Sequence, residues 1–521
     1  MKLSESNQRA LDKREEQVSK RLGRSFGGSS PKPVIRGGNI RYEMAERTQA
    51  ISCGGIGLIV QLVERLGLRE EIDQEVTVLQ RHLPYHESDH VLAIAFNILS
   101  GGSRLEDLEG LRRNVPFLDA LGASRLPDPT TAGDFTRRFK EQDILDLMDA
   151  VNWIRREVWL MHRDGSFFRS NTGSGVPAGP ACFKEAVLDI DSTIAETTGE
   201  CKAGIGFSYN GKWGYGPLLI SLANTGEPLY VVNRPGNSPS QADATLWLER
   251  AINQVEHYSE RICLRGDSAF AMPRAFDEWS ERGIDFVFSY DSYGCLVNQA
   301  QGLPEEAWEQ LERPAKYEVA TQPRKRPERA MAEYVRTHEY TTKRLKGEQV
   351  AEFPYRPGKC KRDYRVIAVR KNLSVSKGEN NLLDEIVYFF YITNRTDLSA
   401  AEVVGFISDR CNQENLIEQM HNGVHALNMP VNNLLSNWAY MAMASLAWSL
   451  KAWYGLLMPN RQLGAEVMKM EFRRFLQNFI LIPCQIVNTG RRLVYRVLGF
   501  NQWLGDWLGF STRLQSRPRR C

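Results

Sequence analysis

Hydrophobic positions along the chain change their period several times, and each change marks an element. Ile56, Ile59, Val60, Val63 and Leu66 recur at steps of three and four, which predicts an amphipathic helix. A second apolar segment, Val91 to Leu99, ends at Gly101-Gly102. Asp128-Pro129-Thr130-Thr131 opens another helix, carrying Phe135, Arg137, Arg138, Phe139 and Lys140, with Thr130 or Thr131 as its cap. From about residue 184 the pattern shortens. Ala186 to Asp191 reads as a strand. Ile205–Tyr209 and Gly216–Leu222 read as two more, joined at the hairpin signal Asn210-Gly211. Ala242–Val255 is a helix, Ile262–Arg265 a strand, Arg274–Glu281 a helix and Ile284–Ser289 a strand.

That order, strands with a hairpin followed by helix, strand, helix and strand, predicts an α/β fold. It is the order of an RNase H-like core, a mixed sheet flanked by helices. Strand-like runs at Tyr364–Val369 and Ile386–Ile392 suggest a β-rich insertion over 290–399. From Ala400 to about 458 the chain reads as helical again. The expected organisation is a basic flexible arm (1–45), a helical DNA-binding region (46–150), a core (184–289 and 400–458) split by the insertion, and a basic C-terminal region (459–521). Leu434 to Met458 is very apolar but holds Asn437, Lys451 and three serines, so it predicts a buried core helix and no membrane span.

Composition narrows the class without naming a partner. The 521 residues are 42% hydrophobic and 25% charged, which excludes wholesale disorder and collagen-like structure. The 66 basic and 63 acidic side chains leave a net charge of only +3. Distribution is more informative: residues 1–45 carry ten basic against five acidic side chains, as a solvated tail or a DNA-tracking arm would. A basic run, PRKRPERAMAEYVRTHEYTTKRLK, lies in the insertion. The nine cysteines are scattered with no CxxC pair, which suits reduced thiols in the cytoplasm.

Three carboxylates stand where chemistry is expected. Asp191 ends one apolar strand, Asp267 ends another in Arg265-Gly266-Asp267-Ser268, and Glu414 lies on the helix after the insertion. Convergent carboxylates supply hard oxygen ligands for Mg²⁺, with Mn²⁺ as a substitute. Two such ions can drive phosphoryl transfer. Each residue alone also fits an ordinary turn, cap or solvated helix face. At about 100° per residue, Arg410, Glu414 and His421 share one stripe, near 0°, 40° and 20°. Asp189 competes with Asp191, because residues two apart on a strand point to one face. A buried like-charge pair calls for a cation nearby, so either aspartate could be the main ligand.

These residues resemble a known family. Leu188-Asp189-Ile190-Asp191-Ser192-Thr193, Arg265-Gly266-Asp267-Ser268-Ala269-Phe270 and Arg410-Cys411-Asn412-Gln413-Glu414-Asn415-Leu416-Ile417-Glu418 resemble, in order and spacing, the three acidic motifs of bacterial insertion-sequence DDE transposases. The resemblance is to the family numbered 1380, a relative of the group with the Tyr-Arg-Glu-Lys signature. It extends to the hairpin Gly206–Leu218 and the loop Arg234-Pro235-Gly236-Asn237. Ile407 stands at the signature tyrosine, His421 at the lysine, Ala269 at a usual glycine and Gly216 at a usual histidine.

The resemblance implies Asp191, Asp267 and Glu414 as catalytic metal ligands, with Arg410 and His421 on DNA phosphates and Asp189 as an accessory. It implies a transposase that binds terminal inverted repeats on double-stranded DNA and cuts and rejoins strands. Such an enzyme would work as a homodimer in a synaptic complex, at the bacterial nucleoid. Two alternatives remain open: a structure-selective nuclease on the same core, and a transposase-derived DNA-binding protein without metal chemistry.

Overall fold

The computed structural model describes residues 3–23, 40–44, 48–166, 179–199, 201–208, 210–313, 341–377, 380–381, 384–490 and 492–515. Most of the basic run in the insertion, and Arg491, Arg517, Arg519 and Arg520, lie outside these. The N-terminal segment is not wholly an arm. Glu5–Leu22 is a helix, with the Ser4 side chain accepting the Asn7 N–H as its cap.

The next helices follow the predicted periodicity. Ile56, Ile59, Val63 and Leu66 on helix Ile56–Leu66 are buried. Helix Pro129–Thr136 is capped two or three residues earlier than expected. Asp128 accepts the Thr131 N–H at 2.9 Å and the Thr131 hydroxyl at 2.8 Å, with Pro129 at the first helical position. Arg137, Arg138 and Lys140 lie just past its end and are exposed. The helical region runs on through α1 (Glu141–Asp164).

Nine strands of the central sheet matter here: β1 (Phe183–Ser192), β2 (Leu218–Leu222), β3 (Glu227–Val232), β4 (Ser259–Gly266), β5 (Asp285–Tyr290), β6 (Glu309–Gln310), β7 (Thr341–Tyr355), β8 (Tyr364–Lys377) and β9 (Glu385–Thr393). They lie in the order β6-β7-β8-β9-β5-β4-β1-β2-β3, with Asn380–Asn381 paired off β8. The β1–β4 and β4–β5 pairs are parallel and the others antiparallel. Helices α2 (Ala244–Val255) and α3 (Pro273–Glu281) connect β3 to β4 and β4 to β5. Every residue of β2 and β3 is buried, as in a sheet covered on both faces.

Several expectations change. β3 was not predicted, because Glu227 and Pro228 break its apolar run. The Asn210-Gly211 turn joins Gly206–Phe207 to Trp213–Tyr215 in a small side sheet with Ala195–Glu196. Leu218–Leu222 instead pairs with β1 and β3. The strands of the β-rich segment continue the central sheet: β9 pairs with β5, Phe390 opposite Tyr290. It thereby covers an edge that would expose unpaired backbone groups.

The C-terminal half is broken where one helical stretch was expected. It contains α4 (Ala400–Ser408), α5 (Cys411–Glu418), a π-helical turn (Gln419–Gly423), an irregular stretch, then α6 (Leu434–Leu457). α6 is buried along nearly its whole length, as expected. Among the described residues, no helix is long and apolar enough to cross a membrane. The final region is folded back rather than trailing, since Cys484–Thr489 pairs with both Arg492–Val497 and Gln49–Ile51.

Candidate active site

Parallel pairing of β1 with β4 sets Asp189 opposite Arg265 and Ile190 opposite Gly266. Asp191 and Asp267 therefore leave neighbouring strands at the same end. Gly266 eases that approach, since any side chain there would be tightly packed. A Cβ there would meet Ile190 Cγ2 at 3.0 Å, and Phe270 Cβ and Phe288 Cε1 at 3.2 Å. The Asp267 carboxylate accepts the Ala269 N–H at 3.0 Å, which fixes it at the head of the turn Ser268–Phe270.

Glu414 arrives from the first turn of α5, where the helix dipole favours a negative charge. Arg410, at the start of α5, joins it to Asp191. One Arg410 N–H lies 3.2 Å from Asp191 Oδ2 and another 3.0 Å from Glu414 Oε1. Burial pushes the Asp191 carboxyl up to about 6. The Asp267 charge adds to this, with Glu414 a smaller contributor, while Arg410 and the Ser192 N–H oppose it. Asp267 is also raised, by burial first, with Arg410 opposing. Asp191, Asp267 and Glu414, remote in sequence, thus share the field of one guanidinium.

This differs from the single cage that the strand ends suggested. Among the described residues, no group of three His, Cys, Asp or Glu could hold a metal ion. The Arg410 fork stands between Asp191 and Glu414 and bonds to both. The donor chemistry still fits a hard divalent cation. Two aspartates on adjacent strand ends, both raised chiefly by burial, offer carboxylate oxygens that a cation would stabilise.

Asp189 is engaged elsewhere. Arg265 grips it with two bonds, at 2.6 and 2.9 Å, and both residues are buried. The countercharge sought for the Asp189–Asp191 pair is therefore a guanidinium on each aspartate. His421 lies exposed on the π turn, so the uniform stripe ends with α5. No hydrogen bond or ion pair among the described residues joins it to the carboxylates.

Sequence reasoning missed three residues here. Arg265 was read only as part of a motif. Asp291, just beyond β5, adds its charge to Asp267. Gln413 is buried beside the exposed Glu414. The signal for Gln413 was present, since it falls in step with Leu416 and Met420, the buried face of the helix.

No curated protein matches the chain. Among solved structures, a piggyBac transposase synaptic complex with hairpin DNA aligns over 83% of this chain and 86% of that one, at 12% identity and a TM-score of 0.30. The family model for the transposase DDE domain, group 1, matches residues 36–498. A match over most of the length means that the chain belongs to the DDE transposase family.

Proposed function

We propose that this protein binds the inverted repeats at transposon ends and cuts and rejoins DNA at a centre made of Asp191, Asp267 and Glu414. The observation that carries this is that Asp191 and Asp267 stand at the ends of adjacent parallel strands while Arg410 bridges Asp191 to Glu414 of α5 and its charge also acts on Asp267. The order β3-β2-β1-β4-β5, antiparallel then parallel, with helices α2 and α3 as crossovers, supports an RNase H-like core. Within the DDE transposases, the motifs around Asp191, Asp267 and Glu414 favour the insertion-sequence family numbered 1380. DDE transposases generally use divalent metal ions, and Mg²⁺ or Mn²⁺ suits these oxygens.

Asp191 and Asp267 would hold the ion, with Glu414 completing the set when Arg410 turns from the carboxylates to a DNA phosphate. A bound divalent ion supplies Lewis-acid activation of the attacking oxygen and charge neutralisation at the leaving one. The chain's own groups then orient and neutralise. The Ala269 N–H holds Asp267 still, Arg265 keeps Asp189 out of the reaction, and exposed Arg137, Arg138 and Lys140 are placed for phosphate contact. Two DNA ends must be held together for rejoining, so the working form is a homodimer on double-stranded DNA, at the bacterial nucleoid in the cytoplasm.

The test is Asp267→Asn. Purified variant and wild type are given duplexes from the flanks of the coding region with Mg²⁺ or Mn²⁺. The variant should bind the ends as wild type does and cut no strand. Cleavage at the wild-type rate would refute the site.

A further inference from the structure

Gln413 stands beside Glu414 but faces the other way, into the sheet. Its side chain is 1% exposed. The amide N–H donates to the Leu219 carbonyl at 3.3 Å, and the amide oxygen accepts the Ser221 hydroxyl. Leu219 is the cross-strand partner of Asp191, and Ser221 that of Asp189. One amide therefore spans two residues of β2 and ties α5 to the strand paired with the Asp191 strand. Apolar contacts cannot do this alone. Apart from Gln413, the eight-residue α5 buries only Leu416, and Met420 follows on the π turn. Such contacts are non-directional and would tolerate a slide. A slide of one residue would move Glu414 by about 3.4 Å along β2. It would also leave two buried polar groups without partners. Reaction geometry tolerates roughly 1 Å.

We infer that Gln413 is a positioning residue: its two-point clamp on Leu219 and Ser221 sets where Glu414 stands relative to Asp191. This rests on the reading of Asp191 and Glu414 as part of the metal-binding centre. Gln413 touches neither carboxylate and acts only through the register of α5. Its effect should therefore appear in metal binding and turnover and leave DNA affinity alone.

The experiment compares wild type, Gln413→Leu, Ser221→Ala, the double variant and Asp267→Asn, all as full chains. Thermal midpoint, end-DNA affinity, Mn²⁺ affinity of the protein–DNA complex and single-turnover cleavage at saturating DNA are measured. Gln413→Leu should keep end binding, weaken Mn²⁺ about tenfold and slow cleavage at least as much. Ser221→Ala, a smaller change that keeps the fold, should show part of the same loss. The double variant should be no worse than Gln413→Leu, because both act through one clamp. Wild-type Mn²⁺ affinity and rate in Gln413→Leu, with Asp267→Asn inactive, would overturn the clamp and spare the site. An active Asp267→Asn would overturn the site itself. Fully additive losses, or losses of DNA binding in step with cleavage, would also reject the clamp.

Discussion

Arg410 holds two carboxylates that would otherwise repel, with its side chain about one-fifth exposed and that of Glu414 more than half exposed. Partial exposure limits the interaction to about 1 kcal/mol. Arg410→Gln should therefore tighten Mn²⁺ binding to the DNA-free protein several-fold, as the ion no longer competes with a guanidinium. A titration followed by the resonance of free Mn²⁺ reads this directly, and unchanged or weaker binding would show that Arg410 does not guard the carboxylates. The same residue should be needed for cleavage, so the variant gains metal and loses turnover. Sequence reasoning placed Arg410 one turn from Glu414 but could not see its second partner. Asp191 lies 219 residues earlier, and no local rule links the two. Asp189 shows the same limit. Strand alternation put it on the face of Asp191, whereas only the register of β1 against β4 revealed Arg265 opposite it.

Helix Glu87–Leu99 meets helix Pro129–Thr136 through His90, whose ring stacks on Phe135 with centroids 4.2 Å apart. The His90 Nδ1 is buried with no hydrogen-bond partner, and burial pushes the imidazole down to about 4. The folded pKa lies below the unfolded one, near 6.5. An unfolded chain therefore takes up a proton that the native chain refuses. Stability at this contact is intact above pH 6.5 and is lost as pH falls from there through 4, by up to about 3 kcal/mol. His90→Phe should remove that loss. Urea midpoints of the two proteins should differ little in their trend above pH 7 and diverge in favour of the variant toward pH 4; parallel curves would reject the assignment. Elements were otherwise well marked by periodicity, including the helix from Ile56 and the strands of Asp191 and Asp267. The exceptions have physical causes. A π turn after α5 rotates His421 off the stripe that 100° per residue assigns it. β3 begins with Glu227 and Pro228, so its burial could not be read from hydrophobicity.

The whole molecule is knit around that same Glu227. It accepts from Arg155 Nε at 3.0 Å, Trp159 Nε1 at 3.1 Å and Trp453 Nε1 at 2.7 Å, so α1, β3 and α6 share one buried carboxylate. Arg155 also donates to the Pro228 carbonyl and the Ser449 hydroxyl. Glu227→Gln leaves the Arg155 charge buried without its counter-ion and should cost about 3–5 kcal/mol in denaturant unfolding. Glu227→Gln combined with Arg155→Met should recover much of it, and a loss under 1 kcal/mol in the single variant would show the pair to be incidental. Taken alone, the amino-acid order determined the local matters: where apolar residues repeat, where most core strands and helices lie, and that acidic residues fall at strand ends and on a late helix. Those follow from backbone sterics and side-chain period, which act over a few residues. The folded chain decided which segments lie side by side: β9 against β5, Arg265 against Asp189, Arg410 between Asp191 and Glu414, and Gln413 on the strand beneath them. Such pairings depend on packing and charge balance among residues up to hundreds of positions apart, and no short window of the chain contains both members.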